Sequence, residues 1–143
     1  MSKQEIVVLM AEDNDHDIVA ARRAWEKLEI ATQLFIVSNG EICLDYLQGK
    51  GKFRDTERYP RPGLLLLDIN LPKINGLKVL ERIRKNPNLK GLPVVMITTS
   101  KREEDKAISS GLGIDGFIIK SLEFDEFVES MKAIKTMLEE MES

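Results

Sequence analysis

Asp68 closes a run of four leucines, Leu64 to Leu67, and is followed by Ile69, Asn70, Leu71 and Pro72 before Asn75 and Gly76. A carboxylate at the end of so apolar a run, with turn residues behind it, stands where a buried strand meets solvent. Glu12 and Asp13 follow a second apolar run, Thr98 ends a third, and Lys120 ends a fourth. Three carboxylates brought to one place repel one another, and either a proton or a divalent cation relieves them. An all-oxygen donor set suits Mg²⁺. A hydroxyl and an ammonium beside such carboxylates are the donors a phosphoryl group requires. Taken singly, each residue has a blander reading. Glu12 and Asp13 could be a solvated turn with a helix cap at Asp15, Thr98 a β-branched strand residue and Lys120 a surface charge. Their shared position at predicted strand ends favours a single site.

The elements that must position these residues follow from hydropathy. Five short apolar runs, residues 6–10, 34–37, 64–67, 94–97 and 117–119, alternate with amphipathic stretches. The alternation predicts an α/β fold, a doubly wound five-stranded parallel sheet with helices on both faces, and the order expected for it is the common 2-1-3-4-5 of flavodoxin-like folds. In that order the first and third strands are neighbours, and ligands bind outside the carboxyl ends of the strands. Glu12, Asp13, Asp68, Thr98 and Lys120 then face one crevice.

Between the strands, Ile18, Ala21, Trp25 and Leu28 recur at helical spacing, as do Ile42 and Tyr46, and Leu77, Leu80 and Ile83. These are core stripes. Ser38 with Glu41, and Ser100 with Glu103, match the capping box. Phe124, Phe127, Val128, Met131, Ile134 and Leu138 mark a last helix, with Glu123, Asp125 and Glu126 at its positive end and Met137 and Met141 read as exposed. Residues 49–62 form the longest irregular segment and read as a surface excursion.

Bulk properties narrow the function classes. The chain has 143 residues, the size of one domain, so 1–143 is expected to be a single unit without an output module. No window approaches the roughly 18 apolar residues of a membrane span, which argues against a membrane protein. One cysteine, Cys43, cannot form an internal disulfide and favours a cytoplasmic setting; its spacing suggests a small core residue. A net charge of -3 with interspersed signs argues against nucleic-acid binding. Lys50, Lys52, Arg54, Arg58 and Arg61 cluster, but Asp55 and Glu57 lie among them, as in a solvated loop. His16, between Asp15 and Asp17, reads as exposed and is given no role.

Together, Ala11-Glu12-Asp13, Leu67-Asp68-Ile69-Asn70-Leu71-Pro72 with Asn75-Gly76, Ile97-Thr98-Thr99 and Ile119-Lys120 resemble the motifs of receiver domains of two-component response regulators. Residues 71–76, the long loop before the third strand and residues 93–100 look most like short stand-alone regulators that partner phytochrome-type histidine kinases. The resemblance implies that Asp68 takes a phosphoryl group from a kinase phosphohistidine. It implies Mg²⁺ held by Asp13, Asp68 and the backbone carbonyl of Asn70, with Glu12 acting through a water. It further implies that Lys120 and Thr98 bind phosphoryl oxygens, that Phe117 is the switch aromatic, and that the protein switches and dephosphorylates itself rather than turning over a substrate. A homodimer through the fourth helix, fifth strand and fifth helix is expected on the same ground.

Two positions depart from the family pattern. Ser121 follows Lys120 where proline is usual, which disfavours a cis peptide and offers a cap for the last helix. Thr99 stands where a smaller residue is frequent. A second reading keeps the fold without phosphotransfer, as a receiver-like interaction or dimerisation module; the retained Glu12, Asp13, Asp68, Thr98 and Lys120 speak against it. A Mg²⁺-dependent phosphatase would want a second acid two residues after Asp68, where Asn70 stands.

Overall fold

The computed structural model describes residues 6–99, 101–121 and 123–142, with Ser109 by its backbone alone. Its strands are β1 (Val8–Ala11), β2 (Leu34–Val37), β3 (Leu64–Asp68), β4 (Val94–Thr98) and β5 (Gly116–Ile119). They pair in parallel, as the alternation of runs predicts, and in the expected order β2-β1-β3-β4-β5. Between them run α1 (Asp15–Lys27), α2 (Gly40–Gln48), α3 (Gly76–Lys85) and α4 (Lys101–Ser109), and α5 (Phe124–Glu142) follows.

The strands are apolar on both faces because helices cover both. Leu9, Ala11, Leu65, Leu67 and Met96 point to one core, shared with Leu47, Val79, Leu80 and Ile83. Val8, Met10, Leu64, Leu66 and Ile97 point to the other, with Trp25, Phe127, Met131 and Leu138. Alternation along each strand splits its side chains between the two.

Several boundaries differ from the sequence reading. The first strand begins at Val8 rather than Ile6, because its ladder starts where β2 does: Val8 pairs with Leu34 and its N–H donates to Gln33. The third and fourth strands run one residue further, taking in Asp68 and Thr98, and the fifth takes in Gly116. A scan for apolar runs stops short of polar strand ends and glycine.

Three helices, α1, α2 and α3, are capped by asparagines. Asn14, not Asp15, caps α1 and accepts from Asp17 N–H at 3.0 Å. Asn39, not Ser38, caps α2 and accepts from Ile42 N–H at 2.8 Å. Asn75 caps α3 in the same way. Each enters its helix from extended backbone, where the short amide reaches the first orphan N–H groups. Ser100, the expected cap of α4, lies outside the described residues. The last helix starts at Phe124, so Ser121 stands ahead of its cap position. There it accepts from Glu123 N–H at 3.1 Å and donates to Glu126 at 2.7 Å.

Residues 49–62 are packed rather than a loose excursion. A 3-10 turn over Gly51–Arg54 buries Phe53, which meets Tyr46 and Tyr59 at ring separations of 5.0 Å. Tyr46 donates to the Pro60 carbonyl and Arg61 to that of Leu47. The loop's charges do face solvent, as expected; its aromatics have no periodic spacing to betray their burial. Met137 and Met141, expected to be exposed, are half-buried, and Met137 packs on the second core. Among the described residues, the large apolar ones that face outward are Val19, Ile108 on α4 and Ile119 on β5.

Candidate functional site

Parallel register delivers the site. Ala11 is level with Leu67, Asp68 with Ile97, and Thr98 with Ile119. Ladder hydrogen bonds continue one residue past the strands: Glu12 N–H donates to Val37 at 2.9 Å, Ile69 to Ile97 at 3.1 Å and Lys120 to Thr98 at 2.8 Å. The polar strand ends therefore leave the sheet at one level and on a rigid frame. Gly76 closes the frame from below. Its N–H donates to Ile69 at 2.8 Å, and a Cβ there would overlap the Asp68 carbonyl oxygen, so only glycine lets α3 start this close to β3.

Glu12 is fully buried, Asp68 is 2% exposed, and Asp13 is exposed at the mouth. Each of the three offers a carboxylate oxygen, and these atoms lie within 4.8 Å of one another. Asp68 Oδ1 accepts from Asn70 N–H at 3.0 Å, and Lys120 Nζ donates to Oδ2 at 2.8 Å. The same ammonium lies 2.7 Å from Glu12 Oε1 and 2.8 Å from Asp17 Oδ2. Glu12 Oε1 meets Lys120 as an ion pair but has no hydrogen bond of acceptable geometry. Its other oxygen accepts from Asn14 N–H at 3.2 Å.

Electrostatics follow from this crowding. Burial, with added repulsion from Asp68, pushes the Glu12 carboxyl up to about 7 against the opposing pull of Lys120. Burial alone would lower the Lys120 ammonium, but Asp17, Asp68 and Glu12 outweigh it and hold its pKa above the ordinary lysine value. One ammonium thus pairs with three carboxylates, and a fourth, Asp13, has an oxygen within 4.8 Å of those of Glu12 and Asp68. Buried and half-buried carboxylates that share one ammonium, in a set of hard oxygen donors, fit a small divalent cation.

The sequence-predicted residues Glu12, Asp13, Asp68 and Lys120 come together at this crevice. Thr98 is fully buried at the end of β4, and its hydroxyl donates to Glu103 at 3.0 Å. The Asn70 side chain reaches the same carboxylate at 2.7 Å. Phe117 is half-buried against the first core. Two participants escaped sequence reasoning. Asp17 pairs with Lys120 from one turn into α1; an acid at that distance behind Asp13, on a helix starting at the crevice, was its only signal. Glu103 entered only as half of a capping box. His16 is exposed and lies outside these contacts, and Cys43 is buried, its thiol pushed up to about 12 by desolvation. No cis peptide occurs among the described residues, and none of their helices is long and apolar enough to cross a membrane.

With this geometry in place, known proteins can be set beside the chain. A family model for the response regulator receiver domain matches residues 8–132. Response regulator Rcp1 of Synechocystis sp. is 35% identical over 130 residues, covering 91% of this chain and 86% of its own. The crystal structure of the phosphorylated cyanobacterial phytochrome response regulator RcpA superimposes with a TM-score of 0.85 at 30% identity, over 98% of both chains. The Mn²⁺-bound form of Rcp1 superimposes with a TM-score of 0.76 at 34% identity, over 92% of both chains.

Proposed function

The chain belongs to the response regulator receiver domain family of two-component signalling, and from that premise we propose that Asp68 accepts a phosphoryl group from a phosphohistidine of a sensor histidine kinase. The observation that carries this reading is the placement of Asp68: almost fully buried, 2.8 Å from Lys120, with Glu12 and Asp13 oxygens within 4.8 Å. An isolated structural carboxylate has no use for that company.

In the transfer, an Asp68 oxygen forms a bond to phosphorus while the phosphorus–nitrogen bond to the donor histidine breaks, and the electron pair stays on the imidazole. Lys120 donates to a phosphoryl oxygen, giving up part of its pairing with Glu12 and Asp17. Thr98 donates to another, and Phe117 moves in response. Asp13, Asp68 and the Asn70 carbonyl would hold Mg²⁺, with Glu12 in support; the bound ion would offset charge developing in the in-line transfer. Water later attacks phosphorus, the bond between phosphorus and the Asp68 oxygen breaks, inorganic phosphate leaves and the carboxylate is restored. The likeness to a phytochrome response regulator supports a phytochrome-type kinase as donor. Outward-facing Ile108 and Ile119 support a homodimer through α4, β5 and α5. The unit 1–143 then signals by binding, in the cytoplasm, without contact to nucleic acid or membrane.

Incubation with Mg²⁺ and acetyl phosphate tests the reading. Intact mass is expected to rise by one phosphoryl group in the wild type and not in Asp68→Asn. No gain in the wild type, or a gain that persists in the variant, contradicts it.

A further inference from the structure

Glu103 sits in the first turn of α4, and its single carboxylate gathers donors from three segments. Oε1 accepts from Thr98 Oγ1 at 3.0 Å, Thr99 Oγ1 at 2.8 Å and Thr99 N–H at 3.2 Å. Oε2 accepts from Asn70 Nδ2 at 2.7 Å. The end of β4, the turn behind Asp68 and the start of α4 therefore meet on one side chain. A helix-capping role would use the neighbouring backbone alone; it does not account for bonds to Thr98 and to Asn70, which lies 33 positions away.

We infer that Glu103 is a positioning residue that keeps the Thr98 hydroxyl engaged until Asp68 is phosphorylated, and so couples the phosphoryl site to α4. The inference rests on the reading of Asp68 as phosphoacceptor. A hydroxyl has one proton to donate. While that proton points to Glu103, it is not available to a phosphoryl oxygen. A phosphoryl group on Asp68 supplies a more highly charged acceptor and wins the competition. Glu103 then loses a donor, and the first turn of α4 loses a tie to the sheet. The turn behind Asp68 feels the same event, because Asn70 N–H is bonded to Asp68 Oδ1 and its side chain to Glu103. Helix α4 carries the outward Ile108, so the release reaches an exposed apolar face. Although partial burial works against ionisation, the bonds from Thr99, Asn70 and Thr98 hold the Glu103 carboxyl below its ordinary range, so it is charged at neutral pH.

The test uses the full chain, with NMR of the Thr98 methyl group during titration with beryllofluoride and Mg²⁺. In Glu103→Ala the half-saturating beryllofluoride concentration is expected to fall about fivefold, the effect of losing one hydrogen bond that competes with the active state. Before any beryllofluoride is added, the Thr98 methyl resonance should already lie displaced toward its saturated wild-type position. Glu103→Gln, which keeps the shape but offers one acceptor oxygen, should show a smaller change in the same direction and decides the matter if Glu103→Ala does not fold. Glu104→Gln removes the same charge from the same helical turn and should match the wild type. A wild-type response with an unchanged midpoint and Thr98 resonance in the Glu103 variants overturns this proposal alone. A wild type whose resonances around Asp68 ignore beryllofluoride overturns the phosphoacceptor reading and this proposal with it.

Discussion

At the scale of single residues, Glu12 carries the sharpest consequence. Its folded-state pKa, in the absence of metal, is raised from 4.5 to about 7, chiefly by burial. A raised carboxyl pKa means the folded protein binds more protons than the unfolded chain between those values. The stabilising contribution of the protonated form is therefore complete below pH 4.5 and is lost as pH rises through about 7. A divalent cation competes with that proton. Apparent Mg²⁺ affinity, measured by calorimetry, is expected to rise from pH 6 to pH 8, and the rise should flatten in Glu12→Gln. An equal slope in both proteins would remove Glu12 from the linkage. The sequence made Glu12, Asp13, Asp68, Thr98 and Lys120 visible because each is a polar residue ending an apolar run. It concealed Asp17 and Glu103 because their partners, Lys120 and Thr98, are distant in the chain or meet them only once a helix is docked.

Among the elements, the start of α3 decides how well the crevice is framed. Alanine at Gly76 would place a Cβ on the Asp68 carbonyl. Alanine is the better helix former by about 1 kcal/mol, but overpacking against backbone costs about 2 kcal/mol, so Gly76→Ala should be destabilised in urea unfolding and should bind Mg²⁺ more weakly. Gly91→Ala, with nothing within 4 Å of the added atom, should unfold within about 0.5 kcal/mol of the wild type. Element sequence and parallel pairing were legible from the alternation of runs; strand order matched the common doubly wound arrangement rather than anything in the runs themselves. The cap of α2 lies one position beyond Ser38, and that of α1 one before the Asp15 of the blander reading, because Ser-Asn and Asn-Asp pairs each offer two acceptors and only the backbone entry angle selects between them. The aromatic packing of residues 49–62 was illegible, since Phe53 and Tyr59 reach Tyr46 from a segment with no period.

For the whole molecule, phosphorylation is expected to change the charge at one end of a parallel sheet and to be felt on α4 and β5. Ile108 is 56% and Ile119 45% exposed there. Sedimentation with beryllofluoride should show a dimer that Ile108→Glu with Ile119→Glu converts to monomer; an unaltered dimer would place the interface elsewhere. Everything else depends on the identity of the acceptor. Acyl phosphates are reduced by borohydride, which converts a phosphorylated aspartate to homoserine. After reaction with Mg²⁺ and acetyl phosphate, reduction and peptide mapping should find homoserine at position 68. Homoserine at 13 or 17 instead, or none at all, would contradict the assignment of Asp68 as the phosphoacceptor.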